Sequence, residues 1–142
     1  MIDNRTGPYA ALVLRLSLGV LFLAHAALKI FVFGSDGTVQ YFASLGLPPT
    51  LAYLTMLGEA GGGAALVLGV YTRAISLALI PLLIGAIVTA HATNGWLFSN
   101  AGGGWEFPAF WAATLVVQAV LGDGAFALKV PSLGRLALAT QS

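Results

Sequence analysis

The sequence predicts an all-α fold, a transmembrane antiparallel four-helix bundle, and two observations support this prediction. The 142 residues are 58% hydrophobic and 8% charged, with a mean hydropathy of +0.92, whereas soluble domains contain about 25% charged residues. The chain also contains four long apolar stretches, each close to the roughly 20 residues that cross a bilayer. Short connections make neighbouring helices run in opposite directions, and the length suits a single domain covering 1–142.

The four apolar stretches are separated by two longer loops and one short turn. The first begins near Pro8, since proline is well tolerated in the first turn of a helix. A signal peptide ending near Ala26 is the alternative for this stretch, but the apolar pattern continues to Phe33. Pro81 falls inside the third stretch, where it removes one backbone hydrogen bond. We place the spans at about 9–33, 50–70, 74–92 and 106–121, with loops at 34–49 and 93–104 and a tail at 122–142.

The basic residues predict the orientation, because loops on the cytoplasmic side of a membrane carry an excess of Lys and Arg. Four basic residues fall at one end of the predicted bundle, and Lys29 alone lies near the other. Both termini and the turn between the second and third spans are therefore predicted to be cytoplasmic, and the two longer loops to face outward. The four residues are Arg5, Arg73, Lys129 and Arg135.

Composition and motifs argue against several kinds of site. The chain has no cysteine, which excludes disulfides, thiolate metal sites and CxxC redox motifs within it. A formal net charge of +1 gives no argument for nucleic acid as a partner. The glycines at 61–63 lie inside a span, without the Gly-Lys-Ser/Thr of a phosphate loop. Two histidines alone are weak evidence for a metal ion or a haem, so we predict no metal site.

The second span is the helix around which we expect the others to pack. Its carboxylate, Glu59, lies at a depth where an ionisable group is costly and usually faces the protein interior or a polar cavity. Small residues on one face of this helix would let a neighbouring helix approach closely. They are Gly58, Gly62, Ala65 and Gly69.

Ionisable residues from all four spans converge on the outer half of the predicted bundle. His25 and Lys29 are one helical turn apart and share a face, and both are candidate partners for Glu59. The catalytic candidates are Glu59, His25, Lys29 and Glu106. The cofactor-binding candidates are His25, Tyr53, Glu59, His91 and Trp105. Structural alternatives stay open: Lys29 at the interface, Glu106 stabilising a helix N-terminus, and a Glu59–Lys29 bridge that ties two helices together.

Several short motifs follow one another in a characteristic order and spacing. They are Arg-Leu-Ser-Leu-Gly at 15–19, His25 with Lys29, Gly-Glu-Ala-Gly-Gly at 58–62, Leu-Gly-Val-Tyr-Thr-Arg at 68–73, Gly103 with Glu106, and Leu-Gly-Asp-Gly at 121–124. Together they resemble the DoxX family of small four-span bacterial membrane proteins, over nearly the whole chain. The resemblance implies a multi-pass protein of the bacterial cytoplasmic (inner) membrane. It also implies a link to redox chemistry, since the family takes its name from a relative in a thiosulfate:quinone oxidoreductase.

Three functions follow from these expectations. The first is the membrane subunit of an oxidoreductase that engages quinone, with electrons supplied by a redox partner protein because the chain shows no electron carrier of its own. The second is a non-catalytic scaffold that recruits a partner protein within the lipid bilayer. The third is a small-solute or proton pathway, which would need a homo-oligomer. Polar residues lining an open cavity would favour the first or third function, and pairing in a dry core would favour the scaffold.

Overall fold

The computed structural model describes residues 4–128, which are helical apart from turns and one longer loop. Residues 129–142 of the predicted tail at 122–142 lie outside the described residues. The helices are α1 (Gly7–Ala27), continued by a π-helical turn at Leu28–Val32; α2 (Ser35–Ser44); α3 (Pro49–Leu68); α4 (Thr72–Ala86), continued by a π-helical turn at Ile87–His91 and a 3₁₀ turn at Ala92–Asn94; and α5 (Glu106–Leu121).

Three helical segments are long and apolar enough to cross a membrane: Gly7–Val32, Pro49–Leu68 and Thr72–Asn94. They lie close to the first three predicted spans, and they confirm an all-helical membrane protein over the described residues. Helix α5 is equally apolar but contains 16 residues, fewer than the roughly 20 of a straight crossing.

Helix α2 corrects the prediction of a loop at 34–49. The chain turns at Gly34 with a positive φ of 74° and then forms ten residues of helix. Ser35 and Asp36 suit this N-terminus, because a carboxylate in the first turn interacts favourably with the helix dipole. The segment was misjudged because it is short, and short apolar runs carry weak periodicity.

Helices α1 and α3 approach each other through glycine backbone. A Cβ on Gly19 would lie 2.8 Å from the carbonyl oxygen of Gly63, and a Cβ on Gly63 would lie 2.9 Å from that of Gly19. Such distances leave no room for a side chain, which explains the glycines at both positions. This contact is not part of the small-residue face predicted for α3.

The predicted small-residue face instead packs against α4. A Cβ on Gly62 would lie 2.7 Å from the side chain of Leu79, and one on Gly58 would lie 3.1 Å from Leu82. Gly69 does not continue this face: it ends α3 in the left-handed conformation, with φ 74°. Helix α3 therefore presents glycines to two neighbours, α1 and α4.

The hydrophobic core is built from α1, α3, α4 and α5, which contact one another in the pairs α1–α3, α3–α4, α4–α5 and α1–α5. Its fully buried members come from all four helices: Leu18, Phe22, Leu66, Leu79, Leu83, Trp111 and Leu115.

Arg15 of α1 is buried at one end of this core, with 1% of its surface exposed. Its Nη1 donates to the carbonyl oxygens of Leu66 and Val67 at 2.8 and 2.9 Å, and its Nη2 donates to that of Ala125 at 3.1 Å. The first two carbonyls belong to the C-terminal turn of α3, where a cation interacts favourably with the helix dipole. Arg15 thus ties α1, the end of α3 and the segment after α5 together.

Candidate functional site

A cavity of about 540 Å³ lies at the other end of the core, beneath α2 and the loop that follows α4. Cavities of a few hundred to a thousand Å³ are the usual size for small-molecule sites. Most of its wall is apolar or aromatic. The ionisable side chains on its wall are His25, Lys29, Glu59 and His91, joined by Tyr41.

Lys29 and Glu59 form an ion pair on this wall. Nζ of Lys29 lies 2.7 Å from Oε1 and 2.8 Å from Oε2 of Glu59, so the ammonium donates to both carboxylate oxygens. The two side chains are 20% and 9% exposed. Lys29, and not His25, is therefore the partner of the buried carboxylate. One of the three ammonium hydrogens stays available to a ligand.

Both histidines are held in the same way by backbone carbonyls. Nδ1 of His25 lies 2.9 Å from the Leu21 oxygen, and Nδ1 of His91 lies 2.8 Å from the Gly103 oxygen. A carbonyl oxygen only accepts, so we assign the hydrogen to Nδ1 in each ring. In the neutral ring Nε2 is then an acceptor, and it is the nitrogen that a ligand can use.

Two of the four ionisable residues lie in π-helical turns. Lys29 is in the Leu28–Val32 turn of α1, and His91 ends the Ile87–His91 turn of α4. π-helical turns within α-helices are rare and frequently occur at functional sites. Thr38 of α2 is buried and its Oγ1 donates to the Lys29 carbonyl at 2.9 Å. Helix α2 is thereby fixed to the turn that carries Lys29.

Trp111 of α5 contributes an aromatic surface and an N–H group to the site. Its ring centroid lies 4.3 Å from that of Phe22, 4.9 Å from that of His25 and 5.8 Å from that of Phe107. The side chain is 4% exposed, and its Nε1–H has no hydrogen-bond partner in residues 4–128. Buried tryptophan N–H groups usually find a partner, so this unpaired donor is an exception beside the cavity, although the nitrogen itself is buried.

Three of the predicted site residues do not line the cavity. Oε1 of Glu106 accepts from the backbone N–H of Phe98 at 3.0 Å, which supports the structural alternative for this carboxylate. Tyr53 is 48% exposed on α3. Trp105 packs edge-on against Trp96, with ring centroids 4.4 Å apart.

Trp111 and two threonines of the cavity wall, Thr55 and Thr89, were not among the predicted site residues. One signal was present for Trp111. Tryptophans of membrane proteins concentrate near the interfaces, and Trp111 lies well inside the fourth apolar stretch. The threonines carry no such signal, because single hydroxyls are common in apolar helices.

Among residues 4–128, no three His, Asp or Glu side chains come together as a metal site would require. A second cavity, of about 390 Å³, lies at the Arg15 end between the Gly69–Tyr71 turn and the segment after α5. Its wall carries one ionisable group besides Tyr71, the carboxylate of Asp123. The concentration of ionisable groups is therefore a property of the larger cavity.

Comparison with known proteins identifies the relatives of this chain. The DoxX family model matches residues 10–92. "Putative oxidoreductase CatD" of Bacillus subtilis is 36% identical over 86 residues, which are 61% of this chain and 63% of that protein, so less than two thirds of its length is matched. "Inner membrane protein YphA" of Escherichia coli is 31% identical over 128 residues, 85% of this chain and 89% of that protein. No solved structure gives a significant match.

These matches agree with the architecture. The name of YphA and the apolar helices of this chain support a multi-pass protein of the bacterial inner membrane, in contact with the lipid bilayer. The family model covers more than half of the chain, and the similarity to YphA covers most of it, so the chain belongs to the DoxX family.

Proposed function

We propose that this chain is the membrane subunit of an oxidoreductase and binds a quinone in the larger cavity. The observation that supports the proposal is the composition of that cavity, in which an ion pair and two histidines line an otherwise apolar and aromatic space. A quinone needs an apolar slot for its ring together with hydrogen-bonding groups for its oxygens. The name of CatD supports the same class of activity.

The available groups match both redox forms of a quinone. The oxidised ring carries carbonyl oxygens, which accept from the free hydrogen of Lys29. The reduced ring carries hydroxyls, which donate to Nε2 of His25 and His91. The flat face of Trp111 suits stacking on an aromatic ring. Electrons come from a redox partner protein.

The cavity also weighs against the other two functions. Lys29 and Glu59 are paired, as a scaffold would have them, but the pair lies on a cavity wall beside two histidines and not in a dry core. A solute pathway needs a continuous route, whereas Phe22, Leu66 and Leu115 are fully buried in the core between the two ends. Binding within the cavity is the function that this arrangement serves best.

The proposal includes the arrangement in the membrane. Helix α5 makes the fourth crossing of an antiparallel bundle that forms a single domain, and both termini are cytoplasmic because Arg5 and Arg73 lie at the Arg15 end. The cavity then lies in the outer half.

Since the chain has no cysteine, Asn4→Cys and Asn100→Cys give single thiols. A membrane-impermeant thiol reagent should label only Asn100→Cys in intact spheroplasts, and the reverse pattern would overturn the orientation.

Quinone binding is tested by fluorescence, because the chain has three tryptophans and Trp111 alone lines the cavity. In a Trp96→Phe/Trp105→Phe background, a short-tailed benzoquinone added to the protein in detergent should quench Trp111 saturably. Glu59→Gln should weaken binding about tenfold, which corresponds to about 1.4 kcal/mol, because Lys29 loses the charge that holds its ammonium in place.

Glu106→Gln is the matched control, since it removes a carboxylate that lies outside the cavity wall. It should leave quinone binding unchanged. Equal weakening by both variants would refute the assignment of the site to the cavity. Absence of saturable quenching in every protein, with helicity intact by circular dichroism, would refute quinone binding and leave the scaffold function.

A further inference from the structure

The contact between α3 and α4 ends partway along the two helices. The side chains of Leu82 and Leu79 of α4 pack against Gly58 and Gly62 of α3. At Gly85, about one helical turn after Leu82, an added Cβ would meet no atom within 4 Å. Gly85 lines the cavity, so α3 and α4 leave a gap between them beyond the Gly58–Leu82 contact.

The gap reaches the outer surface of the helices. Thr89 of α4 and Leu51 of α3 both line the cavity and are both exposed, Leu51 by 39%. Gly85 lies near the middle of the Thr72–Asn94 segment that crosses the membrane. An opening at that depth adjoins acyl chains and not water, because the hydrocarbon region is about 30 Å thick.

The residues around the gap suit contact with lipid. Outward-facing side chains of α4 on either side of Pro81 are apolar, with Leu77, Ile84 and Val88 all more than half exposed. The hydroxyl of Thr89, the polar side chain beside Gly85, donates to the Gly85 carbonyl at 2.8 Å. No unpaired polar group in this part of α4 would oppose the passage of an apolar chain.

We propose that the ligand of the cavity enters sideways from the bilayer through this gap between α3 and α4. The ligand is a lipid-soluble molecule with a flat hydrogen-bonding head and a long apolar tail. The head lies at the Lys29–Glu59 pair and the histidines, and the tail passes between Leu51 and Gly85 into the lipid. This inference rests on the proposed quinone site and adds the route of entry and the need for a tail.

Two glycine substitutions test the gap. Gly85→Phe places a ring in the gap, while Gly61→Phe places one on the surface of α3, where an added Cβ also meets no atom within 4 Å and no cavity is lined. In the single-Trp111 protein, reconstituted in phosphatidylcholine brominated midway along its acyl chains, lipid should quench Trp111. Gly85→Phe should reduce that quenching at least twofold, and Gly61→Phe should leave it unchanged.

The same variants test the tail. A benzoquinone with a decyl tail should bind Gly85→Phe at least tenfold more weakly than Gly61→Phe, and the same ring with a methyl group in place of the tail should bind both alike. Equal binding of the decyl compound by both variants would overturn the lateral route. Equal loss of both compounds in Gly85→Phe would also overturn it, because the ring would then occupy the head site. Gly85→Leu repeats the test if the phenylalanine variant does not fold.

The lipid-quenching measurement separates this inference from the proposed function. If lipid quenching depends on position 85 but no quinone binds, quinone binding is refuted and the lateral opening stands. If both quinones bind saturably and Gly85→Phe changes neither measurement, the proposed quinone site stands and the lateral opening is refuted.

Discussion

Helix α1 with its π-helical turn carries one cation toward each end, and the two cations have different kinds of partner. Arg15 donates to three backbone carbonyls, from the last turn of α3 and from the segment after α5. Lys29 donates to a single carboxylate, that of Glu59. Arg15 is 1% exposed, whereas Lys29 lies on the wall of a cavity of about 540 Å³.

The difference separates a charge held entirely by the fold from a charged pair that lies on a cavity wall. Carbonyl oxygens of a helix end cannot change their charge, so the Arg15 contacts are fixed once the chain has folded. The Lys29–Glu59 pair consists of two ionisable groups on the cavity wall, where the proposed ligand would meet them. We therefore expect substitutions at the Arg15 end to affect stability most, and substitutions at the cavity to affect binding.

The largest effect is expected for Arg15→Leu. It leaves the carbonyls of Leu66, Val67 and Ala125 buried without the donor, and we expect a loss of about 3–5 kcal/mol in the free energy of unfolding. The measurement is unfolding by SDS from mixed micelles, followed by circular dichroism. Arg73→Leu is the control, because Arg73 is exposed and donates to one carbonyl, that of Ala119 at 3.2 Å. A similar loss in both variants would remove the distinction between the two ends.

An intermediate effect is expected for Lys29→Met. The substitution leaves the Glu59 carboxylate without its cation, and we expect a loss of about 2 kcal/mol, less than for a fully buried pair because the pair lies on a cavity wall. Adding Glu59→Gln should restore about 1 kcal/mol of this, because the double variant buries no charge. The four proteins form a double-mutant cycle in the same SDS titration. If the double variant were less stable than Lys29→Met, the Glu59 carboxylate would have a stabilising partner other than Lys29. That result would contradict a pair neutralised only by its own two members.

The smallest effect is expected for Thr38→Val. The change keeps the shape of the side chain and removes the hydrogen bond to the Lys29 carbonyl, which is worth about 1 kcal/mol. Ser44→Ala removes an exposed hydroxyl of the same helix that bonds to Tyr41 and should cost less. Amide hydrogen exchange of α2 is the measurement, and it should quicken in Thr38→Val. Unchanged exchange there would show that α2 is held by its apolar side chains alone.

The sequence predicted the membrane helices and the depth of the ionisable residues along them. It predicted less well which side of its helix each residue faces. Apolar length gives the position of a residue along a helix, and on that basis His25, Lys29, Glu59 and His91 were expected at one end, where the structure has them on one cavity. The rotation of a residue about the helix axis is set by packing.

Packing explains why some of the candidate residues do not line the cavity. Glu106 and Trp105 lie at the expected end of α5, but both belong to contacts of the preceding loop, with Phe98 and Trp96. Trp111 was overlooked because its depth in the apolar stretch was the one signal, and depth does not say which side of a helix faces a cavity. The Gly19–Gly63 contact was missed for the same reason, since two glycines far apart in sequence meet only after α1 and α3 have packed.

The π-helical turns of α1 and α4 also affect how this chain is compared with its relatives. A π-helical turn accommodates one residue more than an α-helical turn, through hydrogen bonds from residue i to residue i+5. Loss of one residue from Leu28–Val32 would therefore turn this segment into α-helix and leave the residues after it facing as before, whereas loss of one residue from an α-helical turn would rotate everything after it by about 100°. A relative that lacks either turn aligns with this chain only if a one-residue gap is placed inside the helix, at Leu28–Val32 or Ile87–His91. Without that gap, the residues beyond each turn would be matched with residues that point in another direction.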